Sequence, residues 1–172
     1  LTMGLSNDFS FKNFSLGFLI DGKFGSKMYV STDAYGTFYG LHKQTAENGV
    51  RETGVTLDGV DQNGDPYHNT ITAQEYYQGV AFSITDFFVS DASFVKLRQI
   101  TFGYSFPQSL LARTPIKSAS LSLVARNLLL LYSAMDNVDP ESNYSSAGDS
   151  QGLENQGVPP VRSFGLDLKV RF

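Results

Sequence analysis

The chain has 172 residues, enough for one domain or for part of a larger one. Charged residues make up 17%, below the roughly 25% of soluble domains, while aromatics reach 13% through 14 Phe and 9 Tyr, which points to a β-rich chain rather than a helical bundle. A net charge of −4 with no basic stripe argues against nucleic-acid binding.

There is no Cys, so no disulfide framework. No apolar run approaches the roughly 18 residues of a membrane helix. That sets aside helical membrane proteins and leaves β-barrels open, because alternating strands average out in hydropathy. The chain starts at Leu1, inside a strand-like pattern, and is expected to be a piece of a longer product.

Leu1, Met3, Leu5, Phe9 and Phe11 stand on alternate positions, and Phe14, Leu16, Phe18 and Ile20 do so again after Lys12-Asn13. Two alternating runs around a short polar break predict a hairpin of strands at 1–11 and 14–24. From 25 to 93 the alternation stops, and so long a segment should carry its own structure. Ser31, Thr32 and Asp33 are cap candidates for a helix running through Ala34, Tyr35, Phe38 and Tyr39. Val55 and Leu57 before a turn-rich stretch predict a small hairpin, and Thr72-Ala73-Gln74-Glu75 has the spacing of a capping box.

Alternation returns at 94–106, where Phe94, Ile100, Phe102, Tyr104 and Phe106 are read as one greasy face. Lys96 and Arg98 then fall on that same face, at its start, where they would project past the hydrocarbon. A further strand covers 118–132, with Leu121, Leu123 and Ala125 opposite Ser120, Ser122 and Arg126. A second long loop follows at 133–162, acidic through Asp136, Asp139, Glu141, Asp149 and Glu154; it is read mainly as a solvated run, with contact to a partner or ligand as the alternative. The last strand, 163–172, alternates Phe164, Leu166, Leu168, Val170 and Phe172 with Asp167, Lys169 and Arg171, and it is about as long as a transmembrane β-strand.

About five strands joined short, long, short, long match the tight periplasmic turns and long external loops of outer-membrane barrels. The fold class expected is therefore all-β membrane: carboxy-terminal antiparallel strands of a large barrel, with two external loops (25–93 and 133–162) carrying short helices. So few strands cannot close a barrel, and open edges do not survive in lipid. Phe164, Leu166, Leu168, Val170 and Phe172 are expected to face lipid.

No catalytic constellation stands out. His42 and His68, the only histidines, lie apart and are read as surface residues, with neither a metal pair nor a triad around them. Asp58, Asp61, Asn63 and Asp65 have the spacing of a calcium-loop fragment, but lack the closing Glu and also read as an ordinary turn. Tyr35, Tyr39, Tyr76, Tyr77, Tyr132 and Tyr144 are read first as loop cores and an interfacial girdle, and second as cargo contacts. Asn13-Phe14-Ser15 and Asn143-Tyr144-Ser145 fit a glycosylation sequon that a bacterial origin leaves idle.

The stretch from Asp91 to Pro107, DASFVKLRQITFGYSFP, resembles the ASFxRLRxIxLGYxxP block near the end of SusC/RagA-type TonB-dependent outer-membrane transporters. Ala125-Arg126-Asn127-Leu128 is similar to that family's GxNL strand motif. Val138-Asp139-Pro140-Glu141 resembles its GYDPE loop, with Val138 in place of the frequent Tyr. Pro159 to Leu166 resembles the PxxRxxxxGL entry to its last strand, Phe9 to Leu16 its FxYKNFxL hairpin, and Gly54–Val60 with Ala73–Tyr77 its external-loop pattern.

The resemblance implies a 22-stranded barrel with an internal plug, in the outer membrane of a Bacteroidota-type Gram-negative cell. It implies import of oligosaccharides or oligopeptides, energised by the TonB complex, under a SusD-like surface lipoprotein lid. It implies no enzyme activity and no cofactor, and an aromatic terminus at Phe172 read by the barrel-assembly machinery. A passive porin and, last, a secreted β-sandwich adhesion module are the alternatives. The cargo is not legible.

Overall fold

The computed structural model describes residues 1–142 and 151–172. In chain order the main elements are β1 (Thr2–Phe11), β2 (Phe14–Lys23), β3 (Lys27–Val30), α1 (Ser31–Phe38), α2 (Val50–Thr53), β4 (Val55–Val60), β5 (Pro66–Ile71) and α3 (Ala73–Glu75). After them come β6 (Val89–Asp91), β7 (Phe94–Ser105), α4 (Gln108–Leu111), β8 (Ser118–Ser133), β9 (Leu153–Glu154) and β10 (Ser163–Arg171). The chain divides into two units. One holds 1–26, 91–141 and 159–172; the other holds 27–90 and 142–158.

The first unit is a five-stranded antiparallel sheet in the order β1-β2-β7-β8-β10. Its strands occupy the places where the sequence alternates with period two. Lys12-Asn13 closes β1 onto β2 with Lys12 in the left-handed region at φ 54°. Asn13 anchors this turn to the neighbouring strand: its carbonyl accepts from Ser105 N at 2.8 Å, and its Nδ2 donates to Ser105 O at 2.7 Å.

Register aligns like with like across the strands. One row reads Phe9, Leu16, Phe102, Leu123, Leu166, and the next Phe11, Phe14, Tyr104, Leu121, Leu168. Side chains opposite each other share a face, so these rows form a continuous apolar surface. The other face carries Ser10, Ser15, Gly103, Ser122 and Asp167 in one row. Phe14 touches Tyr104 with ring centroids 5.0 Å apart. Yet the apolar surface is uncovered: Phe164, Leu166 and Leu168 keep 75%, 71% and 64% of their area exposed.

A bulge in β7 corrects the face assigned to its beginning. Leu19 pairs with Gln99, but Ile20 pairs with Leu97, so Arg98 is the extra residue. One inserted residue inverts every side chain beyond it. Val95 and Leu97 therefore join the apolar face, beside Ile20 and Leu129, and Phe94 and Lys96 turn to the polar face, beside Lys23 and Asp21. Phe94, Lys96 and Arg98 do not stand on the greasy face, and Lys96 does not project outward: it is 5% exposed. The facing strand accommodates the insertion at Asn127, whose φ is 51°.

The second unit packs α1, the segment 73–88 and a short parallel pairing of β3 with β9 around Val30, Ala34, Ala81 and Phe88, all buried. The rings of Phe38 and Phe82, with centroids 4.8 Å apart, add to this core. Thr72 and Glu75 form the expected capping box: the Thr72 hydroxyl accepts from Glu75 N, and Glu75 Oε2 accepts from Thr72 N at 2.9 Å. A π-helical turn continues through Tyr76–Val80.

The cap expected of Ser31, Thr32 or Asp33 on α1 is not made by them. Val30 is the N-cap residue and offers no side-chain acceptor. Glu154 takes that role from far along the chain. Its Oε2 accepts from Thr32 N, and its Oε1 from Thr32 Oγ1, each at 2.8 Å. Only 1% of Glu154 is exposed, and its carboxyl meets the amide end of the helix.

Candidate functional site

Two places bring chemistry-bearing side chains together. The first lies at the bulged end of β7. Lys96 Nζ sits 2.7 Å from Asp139 Oδ1 and 2.8 Å from Glu141 Oε2. Arg98 Nε donates to Asp21 Oδ1 at 2.6 Å, and its Nη2 to Glu141 Oε1 at 2.5 Å. Both cations stand over the Phe94 ring, at 5.3 and 5.7 Å from its centroid. The loop residues therefore fasten onto the bulged strand through a five-membered ionic cluster on a buried aromatic floor.

Burial opposes the ionised form of Glu141, but hydrogen bonds from Arg98 and Lys96 outweigh it and hold its carboxyl below the usual range. Solvated charge was the expectation for the acidic loop; Asp139, Glu141 and Glu154 correct it, because each is tied to a partner. Asp149 and the Asn143-Tyr144-Ser145 triplet lie outside the described residues.

The second place is a cleft of about 440 Å³ in the loop unit, at the carboxy-terminal end of α1. Phe38, Tyr39, Arg51, Gln74, Tyr77 and Gln78 are among its walls. Arg51 is fixed from behind: Nε donates to Thr45 O at 2.8 Å, and Nη2 to Gly40 O at 2.6 Å and Thr45 Oγ1 at 3.0 Å. Burial raises the Tyr77 phenol above its ordinary range, followed by the charges of Tyr76 and Glu47, and its OH donates to Gln44 O at 2.9 Å.

The remaining candidates separate. His68 pairs with Asp58 across the β4–β5 hairpin, and His42 accepts from Gln44 N at 3.4 Å. The surface reading fits His68, with 74% of its side chain exposed, but not His42, with 14%. Asp61 turns its carboxylate onto the hairpin's own amides, accepting from Asn63 N at 2.8 Å and Asp65 N at 3.0 Å, which holds it below the usual carboxylate range. With Asp58 on His68 and Asp61 on the turn, these residues behave as hairpin chemistry. Tyr132 stacks on Phe24 at 6.5 Å, while Tyr35 packs on Phe82 at 5.7 Å. Phe172 lies just past β10, where its carbonyl accepts from Lys117 Nζ at 3.1 Å.

Sequence reading missed the ionic cluster and the Glu154 cap. A signal for the cluster was present in the phase of the apolar residues: Val95 and Leu97 are odd, while Ile100, Phe102 and Tyr104 are even. Such a slip marks a bulge. The cap had no local signal.

No family model matches the chain. Two curated proteins of Formosa agariphila are similar over nearly all of it. TonB-dependent receptor P3 is 27% identical over 99% of the chain and 16% of its own length. TonB-dependent receptor P26 is 28% identical over 100% of the chain and 17% of its own length. The chain thus spans about a sixth of these relatives. Solved structures of the RagAB peptide importer in its closed-closed and open-open states share the fold, with TM-scores of 0.65 and 0.64, each at 21% identity. They are matched over 98% and 99% of this chain and 17% of theirs. These proteins are named receptors and transporters, not enzymes. By sequence the chain is similar to TonB-dependent receptors along its whole length, and by fold it matches a stretch of the RagAB importer.

Proposed function

We propose that this chain is part of the wall of an outer-membrane nutrient importer, energised by TonB and working with a SusD-like surface lipoprotein. The observation that carries the reading is the five-strand sheet with one uncovered apolar face, in a chain whose whole length is similar to TonB-dependent receptors. Soluble monomers rarely expose more than a few hundred Å² of contiguous apolar surface. Lipid removes that cost and requires closure of the sheet edges by further strands. In this reading the strands continue a 22-stranded barrel, with 25–93 and 133–162 as external loops.

Phe164, Leu166, Leu168, Val170 and Phe172 then face lipid, and the barrel-assembly machinery reads the aromatic terminus. Asp167, Lys169 and Arg171 face the lumen. The cargo class is an oligosaccharide or oligopeptide that porins exclude, and neither cofactor nor metal takes part. The test uses the full-length protein in its native host. Deleting it, or uncoupling TonB, should abolish energised uptake of one oligomeric nutrient while leaving small-solute diffusion intact. Uptake that persists without TonB coupling refutes active import. A full-length protein that stays monomeric in plain buffer refutes the barrel.

A further inference from the structure

We propose that the cleft at the end of α1 binds an acidic sugar unit of a saccharide, a specificity that rests on the importer reading and narrows its cargo. The cleft's volume of about 440 Å³ falls within the roughly 300–1,000 Å³ of small-ligand sites. Among the described residues its lining is a set of rings, amides, hydroxyls and one guanidinium, with Ala73 the only aliphatic side chain and no carboxylate. That is uncommon ground in a chain of net charge −4.

Arg51 supplies the anion contact. Its Nε and Nη2 are committed to the carbonyls of Thr45 and Gly40 and the Thr45 hydroxyl. Its Nη1 group, with two N–H donors, meets no acceptor among the described residues. The guanidinium is therefore pre-oriented, and a carboxylate binding its open side loses little side-chain entropy. Of the acids beside this wall, Glu75 is occupied by Thr72, while Glu52 follows Arg51 in sequence and the charge of Glu47 acts on Tyr77.

The sugar ring is met by Tyr39. The residue is 66% exposed, yet its ring is held edge-on to Phe38, with centroids 5.1 Å apart at 82°. An exposed, oriented aromatic face suits the C–H face of a pyranose. Gln78 donates to Phe38 O at 3.0 Å, and Gln74 donates to Gln78 Oε1 at 3.3 Å, which leaves the Gln74 carbonyl as an ordered acceptor for a sugar hydroxyl. Strand addition and helix-in-groove recognition of peptides need an open strand edge or a hydrophobic groove. The lining offers neither, which favours a saccharide.

The test is calorimetric titration of the purified full-length receptor, in detergent, with trigalacturonate and trimannuronate; galactotriose is the neutral control and triglutamate the peptide control. Binding of at least one acidic trisaccharide is expected, about tenfold tighter than galactotriose or triglutamate. Tyr39→Ala and Gln74→Ala should each weaken it several-fold, and Arg51→Gln by about tenfold. Because Arg51 also braces the 40–45 turn, the Tyr39 and Gln74 variants decide the matter if Arg51→Gln misfolds. No binding of either acidic trisaccharide, equal binding of galactotriose, preference for triglutamate, or affinity unmoved by Tyr39→Ala and Gln74→Ala each overturns the proposal. Binding needs no TonB. Intact, variant-sensitive binding without energised uptake would sink the importer reading and sustain this site, whereas uptake without binding would sink this site alone.

Discussion

From Gln99 to Ser105, β7 alternates strictly, and each apolar side chain meets apolar partners on both neighbouring strands. From Phe94 to Arg98 its pairing with β8 is irregular twice, and the strand holds two cations over a buried ring. The regular half is redundant: losing one contact in a row leaves the others, and the backbone ladder is untouched. The bulged half concentrates its stability in a few charges. Those charges were removed from water only because each found a partner, so removing one leaves another buried and unpaired.

Deleting Arg98 should have the largest effect. It takes out the inserted residue, so Leu97 adjoins Gln99 in strict alternation and Val95 and Leu97 keep the apolar face, but it strips Asp21 and Glu141 of their guanidinium and removes the irregularity that β8 accommodates. Loss of assembled protein is expected, read as disappearance of the heat-modifiable band in unboiled gels. Wild-type assembly would mean that neither the guanidinium nor the bulge is needed to hold this end of the sheet.

Lys96→Met keeps the register but leaves Asp139 and Glu141 short of a cation. Breaking a buried pair typically costs about 3–5 kcal/mol, and partial exposure of Glu141 places this case at the lower end. A lowered melting temperature in detergent and faster proteolysis after residue 134 are the readouts. The double variant Lys96→Met with Asp139→Asn should recover part of the loss.

In the regular half, Leu168→Arg is the sharpest probe. A cation at mid-bilayer on a lipid face costs about 2–4 kcal/mol, whereas Asp167→Asn on the opposite face should be near neutral. Equal surface levels for the two variants would contradict the proposed facing.

Acid separates the halves without mutation. Glu141 is held below its usual range, so in the folded protein its ionised form is favoured. The stability it contributes is therefore complete above the ordinary Glu value and is lost as pH falls through the folded one. Lys96 and Arg98 hydrogen-bond it, and Asp139 and Asp21 share those two cations. Protease sensitivity of the loop after β8 should rise below about pH 4.5, while amide protection in the β8–β10 pairing should not change.

The same contrast explains what was legible in the residues. Period-two alternation places β1, β2, β8 and β10, because a sheet with one apolar face writes its register into consecutive positions. The Thr72–Glu75 capping box was equally local. Glu154 was not: its partner Thr32 lies 122 positions away, and nothing around Leu153 and Glu154 announces a parallel pairing with Tyr29 and Val30. The facing of Lys96 fell between the two. Its signal was local, a phase slip between Leu97 and Ile100, but it becomes visible only when the aromatic Phe94 is not forced onto the greasy face. The Arg51 cleft was hidden because its walls come from three segments, around 37–45, 51 and 72–78.

Asn127 gives the smallest and cleanest test of the bulged half. It lies where β8 accommodates the extra residue in β7, with φ 51°, and its Nδ2 reaches Val161 O at 3.4 Å. Asn tolerates the left-handed region better than other residues with a Cβ, and Gly tolerates it freely. Asn127→Ala should therefore cost about 1 kcal/mol, since a plain Cβ has no local hydrogen bond to offset the strain. Asn127→Gly loses only the long side-chain bond and should melt within a degree or two of the parent, by the usual conversion of a few tenths of a kcal/mol. If Ala and Gly behave alike, the strain lies elsewhere, and the irregularity in β8 follows passively from Arg98. If Ala alone is destabilised, both strands carry their own determinant of the bulge, and the ionic cluster is built on a backbone that two separate residues hold in place.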